Sequence, residues 1–179
     1  MSAAGCVNDD GQLWADWVRV HGPSIRGYLG AALRRPDLAD DLAQEVFIRA
    51  WKARDRYQEL GNARAYLLRI ADHLVCDYFR KLGREVNLSD QQWEGVEPAR
   101  PRSEPEAAEA VMRKEACAKL GEALELLTAA QRRVLLLRYF GDLSFAEIAG
   151  VMECPLGTAL SHARRGLQAL RELFVQSES

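Results

Sequence analysis

A set of polar side chains near the end of the chain has the types and spacing needed to contact the edges of nucleic-acid bases. Hydroxyl, imidazole and guanidinium groups form the hydrogen bonds that base edges offer in the major groove. Intervals of three, one and three residues place four of these side chains on one helical face. They are Thr158, Ser161, His162 and Arg165, with Arg164 beside them in reach of phosphate. An ordinary helical hairpin with a solvated polar face gives the same pattern, so both interpretations stay open.

Aromatic and basic residues are interleaved along a second predicted helix, over residues 62–82. The set comprises Tyr66, Arg69, His73, Tyr78, Arg80 and Lys81, followed by Arg84. Aromatic rings stack on unpaired bases, and cations hold the backbone of a single strand. Tyr66 and Tyr78 are equally compatible with core positions from which only the hydroxyl reaches the surface.

A third polar set lies on one side of a helix whose opposite side is strongly apolar. It comprises Asp40, Asp41, Gln44, Glu45 and Arg49. A protein-binding face and a merely solvated face have the same composition. From this pattern alone, the solvated face is the preferred interpretation.

Residue patterns that would carry catalysis or bind a metal are missing from the sequence. The four cysteines form no CxxC pair and the three histidines supply no zinc spacing, so we expect reduced thiols and no cofactor. The sequence contains no HExxH, no Gly-rich phosphate loop and no Ser/His/Asp arrangement. His73 and Asp77 stand four residues apart on one helix, which an ordinary surface pair explains. These observations argue against an enzyme or a metal carrier.

Composition and charge indicate a globular protein that does not bind DNA strongly by itself. The 179 residues are 48% apolar and 28% charged, which is enough for a packed core. The net charge is −2, and the excess acid lies in residues 85–109, which hold 2 Lys+Arg and 7 Asp+Glu. Strong DNA binders are usually far more basic, so a partner is expected to supply part of the affinity. No bilayer-spanning run or secretory signal is visible, which predicts a cytoplasmic protein.

The polar residues singled out in the first half of the chain must be positioned by secondary structure. Apolar residues there recur at the intervals of an α-helix. This spacing predicts helices over residues 9–20, 23–33, 37–51 and 62–82. Gly22-Pro23 is expected to separate the first two helices, and Asp37 is expected to cap the third. Residues 84–109, acidic and with three prolines, are expected to form a flexible linker.

The second half predicts helices over residues 106–127, 129–141, 145–152 and 156–175. Capping boxes at Thr128–Gln131 and Ser144–Glu147 mark two of the starts. The short third helix, a tight turn and the long fourth helix make a helix-turn-helix, whose second helix enters the major groove. The expected apolar stripe of that helix is Leu156, Leu160, Ala163, Leu167, Leu170 and Phe174. The sequence thus predicts an all-α protein with two small helical domains, 8–83 and 110–175, joined by the linker 84–109.

Several of these segments resemble a known family. Region 2 of bacterial sigma-70-type factors is similar to Asp37-Leu-Ala-Asp-Asp-Leu-Ala-Gln-Glu-Val-Phe-Ile-Arg-Ala-Trp51 and to Ala65-Tyr-Leu-Leu-Arg-Ile-Ala71, followed by Asp77 and Arg80. Region 4 is similar to Thr128-Ala-Ala-Gln-Arg-Arg-Val-Leu-Leu-Leu-Arg138, Leu143-Ser-Phe-Ala-Glu-Ile-Ala149 and Pro155-Leu-Gly-Thr158. Both sets, in this order and with no substantial region before or between them, resemble the extracytoplasmic-function (ECF) group.

The resemblance implies a factor that binds core RNA polymerase and directs initiation at specific promoters. It implies contacts with the polymerase β′ clamp coiled coil and β subunit, the former through Asp41, Gln44, Glu45 and Arg49. It assigns the −10 element to the loop 55–62 and to Tyr66, Arg69, His73, Asp77 and Arg80. It assigns the −35 element to Thr158, Ser161, His162, Arg164 and Arg165. By the same analogy, the acidic linker enters the RNA exit path, and an anti-sigma factor, often membrane-anchored, restrains the protein.

Five positions depart from the family pattern: His73, Glu153, Leu160, His162 and Leu167. Glu153 stands at a turn position where glycine is usual, at a cost of about 1 kcal/mol if its φ is positive. Leu160 is expected in the core rather than against a thymine methyl. The alternative function is a stand-alone repressor or activator with the same helix-turn-helix. That protein would need a dimer interface, and it would leave the face around Gln44 and Glu45 unexplained.

Overall fold

Helices and short turns make up the whole described part of the protein, as the sequence predicts. The computed structural model describes residues 6–54, 62–86 and 107–177. Its helices are α1 (Cys6–Leu33), α2 (Pro36–Lys52), α3 (Ala63–Val86), α4 (Ala107–Glu125), α5 (Ala129–Tyr139), α6 (Phe145–Val151) and α7 (Leu156–Ser177). Within the described residues, no helix is both long and apolar enough to cross a membrane. Helix also occupies the first and last three positions of the predicted linker, whose residues 87–106 lie outside the described part.

Helix α1 is continuous, so the predicted break at Gly22-Pro23 is wrong. Pro23 lies inside the helix. A proline there removes one backbone hydrogen bond and costs about 3 kcal/mol. Ile25 and Leu29 on one side of it are completely buried, and Trp17 on the other side is 8% exposed. Because each such side chain stabilises the fold by about 1.5–3 kcal/mol, packing on both sides offsets the cost of the proline.

Helix α2 begins at Pro36, before the predicted start, and its cap is not Asp37. The N-cap is Arg35, which makes no capping bond with its side chain, and Pro36 occupies the first turn. Proline suits that position because its missing N–H has no helical partner there. The Asp37 carboxylate accepts a hydrogen bond from Arg35 Nη2 at 2.8 Å. That bond is the main cause that lowers the pKa of Asp37.

Both predicted capping boxes are confirmed. Thr128 N donates to Gln131 Oε1 at 3.1 Å, while Gln131 N donates to Thr128 Oγ1 at 3.4 Å. Ser144 N donates to Glu147 Oε2 at 2.7 Å, and Glu147 N donates to Ser144 Oγ at 3.3 Å. The hydrogen bond from the Ser144 side chain is the main cause that lowers the pKa of Glu147. These local bonds fix where α5 and α6 start, and therefore where the helix-turn-helix begins.

The buried side of α7 differs from the predicted apolar stripe. Its buried residues are Ala159, Ala163 and Gly166. A Cβ at Gly166 would come within 3.1 Å of Leu135 Cδ1, which shows how closely α7 approaches α5. Four of the predicted core residues stay between 36% and 47% exposed; they are Leu156, Leu160, Leu167 and Phe174. Small residues allow the close approach, so the larger side chains remain at its edge.

One continuous hydrophobic core joins the N-terminal helices α1–α3 to the C-terminal helices α5–α7. Helix α3 packs against α6, and α1 packs against α5. At this junction Gly141 allows no side chain, because a Cβ would come within 2.8 Å of Leu68 Cδ1 and 2.5 Å of Leu137 O. Phe140 Cδ1 lies 3.5 Å from the position that a Cβ on Gly27 would take. The two predicted domains therefore lie against each other.

Candidate nucleic-acid and protein interfaces

The helix-turn-helix consists of α6, the turn 152–155 and α7. Met152 N donates to Ile148 O at 2.8 Å, and Cys154 N donates to Ala149 O at 3.0 Å. Glu153, between them, has a φ of 54°. The backbone is left-handed here, which meets the condition given for a cost of about 1 kcal/mol relative to glycine.

The polar residues predicted on α7 share a side of the helix but differ in exposure. Ser161, Arg164 and Arg165 are exposed, while Thr158 and His162 are half-buried. Arg165 Nε donates to Ser161 O at 3.3 Å, which holds its guanidinium along the exposed side. Leu160 is 44% exposed, so its predicted core position is wrong. An exposed leucine at that place can contact the methyl group of thymine.

The residues predicted to read the −10 element form one stripe along α3, at intervals of three, four, four and three. Arg69, His73 and Arg80 are exposed, and Tyr66 and Asp77 are half-buried. Asp77 accepts a hydrogen bond from Arg80 Nη1 at 2.8 Å. Residues 55–61, the other segment predicted to contact the −10 element, lie outside the described part of the chain.

The polar face of α2 is accessible and contains an apolar residue that the sequence analysis missed. Asp41 and Gln44 are exposed, and Arg49 Nε donates to Glu45 Oε1 at 2.7 Å. Ile48 follows Gln44 by four residues and is 45% exposed. A single exposed isoleucine is ordinary on a protein surface, and here it adds apolar area beside the polar residues of α2. The helical interval from Gln44 is the signal that would have found it.

A buried ionic cluster joins the N-terminal and C-terminal helices. Asp72 is completely buried on α3. Its carboxylate accepts from Tyr28 Oη at 2.7 Å and from Arg133 Nε at 2.6 Å, with a second hydrogen bond from Arg133 Nη2. Burial, followed by the Asp72 charge, raises the pKa of Tyr28 well above its usual value. The hydrogen bond to Asp72 likewise raises the pKa of Arg133.

Three further ion pairs join the first half of the chain to the second, and sequence reasoning found none of them. Arg64 Nη1 lies 2.6 Å from Asp142 Oδ2, and Arg69 Nη2 lies 2.5 Å from Glu153 Oε1. Arg34 pairs with Glu125 in the same way. The partners are 78 to 91 residues apart in sequence, so no local pattern could reveal them.

Each of these three pairs contains a residue with a left-handed backbone. Arg34, Asp142 and Glu153 have φ values of 54°, 52° and 54°, and they are the non-glycine residues with positive φ in the described part of the chain. Each position costs about 1 kcal/mol relative to glycine. Exposed ion pairs contribute about 0–1 kcal/mol, so the pairs do no more than offset that cost.

No group of side chains suited to hold a metal ion occurs among the described residues. Cys76, Cys117 and Cys154 are free thiols. Burial is the main cause that raises the pKa of Cys76, which makes its thiol a poor nucleophile.

A helix-turn-helix with an exposed polar side, next to a bundle with a separate polar face, is the arrangement expected of a DNA-binding protein with a second recognition surface. Residues 17–85 match Sigma-70 region 2, and residues 117–170 match Sigma-70, region 4. The chain belongs to the ECF group of the sigma-70 family. It is therefore a promoter-specific transcription initiation factor and not an enzyme.

Individual relatives cover most of the chain. The ECF RNA polymerase sigma factor SigC of Mycobacterium tuberculosis is 36% identical, over 74% of this chain and 68% of SigC. SigW of Bacillus subtilis is 30% identical, over 91% of this chain and 89% of SigW. Among solved structures, the sigma factor RpoE in complex with the anti-sigma factor NepR from Bartonella quintana is similar, with a TM-score of 0.75 and 25% identity. That match covers 94% of this chain and 98% of RpoE.

Proposed function

We propose that each of the three surfaces has a separate binding role in transcription initiation. The α2 face binds core RNA polymerase, the α3 stripe contacts the −10 element, and the exposed side of α7 contacts the −35 element. The division into domains 8–83 and 110–175 with a linker at 84–109 belongs to the same proposal. Its main support is the joint match to Sigma-70 region 2 and Sigma-70, region 4, because a stand-alone regulator with the same helix-turn-helix has no need of region 2.

The experiment that tests this function is run-off transcription with purified core polymerase over a promoter library, with and without the protein. We expect start sites that depend on the protein and share two spaced upstream elements. Absence of such start sites, together with sequence-specific DNA binding by the protein alone, would instead support the stand-alone repressor or activator.

The α2 face is proposed to dock on the clamp coiled coil of the β′ subunit, with the β subunit contacting the factor elsewhere. Gln44 and Glu45 supply hydrogen-bonding groups, and Ile48 supplies apolar area beside them. The variant Gln44→Ala/Glu45→Ala should weaken binding to core polymerase about tenfold, because the few side chains at the centre of an interface each cost more than about 1 kcal/mol when truncated. Gln168→Ala/Glu172→Ala is a matched control, since it removes the same residue types from an exposed pair on α7.

The exposed side of α7 is proposed to contact the −35 element through Thr158, Ser161, His162, Arg164 and Arg165. Arg165→Ala should weaken promoter binding by the holoenzyme and leave core binding unchanged. A lost phosphate contact reduces the salt slope by about 1, whereas a lost base contact changes preference at one position. Arg19→Ala, which removes an exposed arginine of α1 paired with Asp16, is the control.

An anti-sigma factor is proposed as the third partner. The similarity to RpoE, whose structure was determined with the anti-sigma factor NepR, supports this assignment. A cytoplasmic location follows from the proposed work at promoter DNA. Affinity purification from cells that express the tagged protein should recover core polymerase and a second, smaller partner that competes with it.

A further inference from the structure

An apolar side chain lies in an exposed stripe of α7, among groups that form hydrogen bonds. Four exposed residues, Gly157, Leu160, Ser161 and Arg164, follow one another at intervals of three, one and three. Such intervals place residues on one helical face. The stripe lies in the first turns of the second helix of the helix-turn-helix, and these turns contact base edges in this motif. Leu160, 44% exposed, is therefore placed among the residues of the proposed −35 surface.

The packing of α7 does not require a leucine at position 160. Small residues hold the helix against α5, and both Ala159 and Ala163 are buried there. Because successive residues of a helix are turned by about 100°, the side chain of Leu160 is directed away from that of Ala159. A single exposed leucine is ordinary on a protein surface, so its meaning comes from the place that it occupies.

Gly157 leaves open space beside this leucine. A Cβ at that position would meet no neighbouring group within 4 Å. Glycine is less favourable than alanine in a helix, but it allows a ligand to approach the backbone closely. Gly157 precedes Leu160 by three residues, so the open space lies next to the leucine on the same face. A base pair can therefore come closer to α7 here than a side chain at position 157 would allow.

The chemistry of leucine limits what it can recognise in the major groove. Base pairs present hydrogen-bond donors and acceptors there, and the 5-methyl group of thymine is the one apolar group among them. Leucine has neither a donor nor an acceptor in its side chain. An exposed leucine in this stripe can therefore distinguish thymine from the other bases, while Ser161 and Arg164 beside it supply hydrogen bonds.

We propose that Leu160 is a specificity-determining residue, which contacts the 5-methyl group of one thymine in the −35 element. This inference rests on the proposed contact of α7 with that element and deepens it. It names one base that the recognised promoters share, and the chemical group through which that base is recognised.

The test uses the holoenzyme and a fluorescein-labelled promoter duplex chosen from the run-off library. Each thymine of its −35 element, on either strand, is replaced in turn by deoxyuridine, which pairs in the same way and lacks only the 5-methyl group. Fluorescence anisotropy gives the dissociation constant of each duplex. One replacement should weaken binding about fourfold, because that is the contribution of about one buried methyl or methylene group.

Three variants show whether this preference depends on Leu160. Leu160→Ala should bind the thymine and uracil duplexes equally, because its side chain is too short to reach the methyl group. Leu160→Met is apolar and of similar volume, so it should keep the preference. Leu167→Ala is the matched control: it removes a leucine that is also 44% exposed, two turns further along α7 and beyond the first turns. Circular dichroism should be the same for all three.

Two results would overturn the inference. One is equal binding of the thymine and uracil duplexes by the unchanged protein at every −35 position, and the other is a preference for thymine that persists in Leu160→Ala. Arg165→Ala on the unmodified duplex separates this failure from a failure of the proposed function. Weaker promoter binding by that variant leaves the −35 role of α7 intact, whereas unchanged binding removes that role as well.

Discussion

Neutralising Asp72 should weaken the junction between the two halves of the protein. Asp72→Asn keeps the size and shape of the side chain but turns an amide N–H₂ toward the Arg133 guanidinium, so donors face donors. Breaking one side of a buried ion pair costs about 3–5 kcal/mol. The Arg133 side chain is 28% exposed, so it regains some hydration when its partner is neutralised. We therefore expect the free energy of unfolding to fall by about 3 kcal/mol, the lower end of that range.

The assay is urea unfolding followed by two probes. Trp14, Trp17 and Trp51 cluster in the N-terminal helices, with the ring centroids of Trp14 and Trp51 5.2 Å apart. In a Trp93→Phe background, fluorescence therefore reports on these helices alone, while far-UV circular dichroism reports on all helices. In the unchanged chain the two transitions should coincide, because one core spans both halves. In Asp72→Asn they should separate.

The double variant Asp72→Asn/Arg133→Gln completes a mutant cycle. Its loss in free energy of unfolding should be smaller than the sum of the losses in the two single variants, because no unpaired charge is left. The coupling energy between the two positions should be about 2–3 kcal/mol. The reasoning fails if Asp72→Asn lowers the free energy of unfolding by less than 1 kcal/mol and both probes still coincide.

Three further outcomes are expected from single positions. Tyr28→Phe should lower the free energy of unfolding by about 1 kcal/mol at pH 7. Because the pKa of Tyr28 is raised in the folded protein, its contribution to the free energy of unfolding is complete below about pH 10. That contribution is lost as the pH rises through the folded pKa. Above about pH 10, the free energy of unfolding should therefore fall less steeply with pH in Tyr28→Phe than in the unchanged chain. Gly141→Ala should destabilise by about 1–3 kcal/mol through overpacking against Leu68, measured by thermal unfolding, whereas Gly150→Ala, at an open helical position, should not. Ile48→Asp should reduce core-polymerase binding at least tenfold in a pull-down while circular dichroism stays unchanged, and equal recovery of core would contradict the proposed docking face.

Local features of the sequence predicted most of the helices. Side-chain caps such as those at Thr128 and Ser144 act over three residues, so the sequence contains the whole interaction. The helix-turn-helix followed from these caps and from Pro155. The sequence analysis left the sign of φ at Glu153 open, at a position where the family usually has glycine, and the structure shows that φ is positive.

Features that depend on tertiary packing were not predicted correctly. Pro23 reads as a helix break, but burial on both sides of it overrides that local preference. On α7 the spacing of the leucines predicted that they form the buried side. The buried residues are instead the small ones at 159, 163 and 166, because α7 approaches α5 closely there. The cluster of Tyr28, Asp72 and Arg133 joins positions 44 and 61 residues apart, which no spacing rule connects.

The packing at Gly141 and Phe140 has a thermodynamic consequence for any partner that needs the halves apart. Separation transfers apolar surface around Leu68, Phe140 and Gly27 into water, and such exposure raises the heat capacity. Hydrophobic attraction weakens on cooling, so the separated form should become more populated in the cold. A partner that covers this surface gains binding energy from it. The apolar residues of the junction can therefore contribute to the affinity of a partner that binds the separated form.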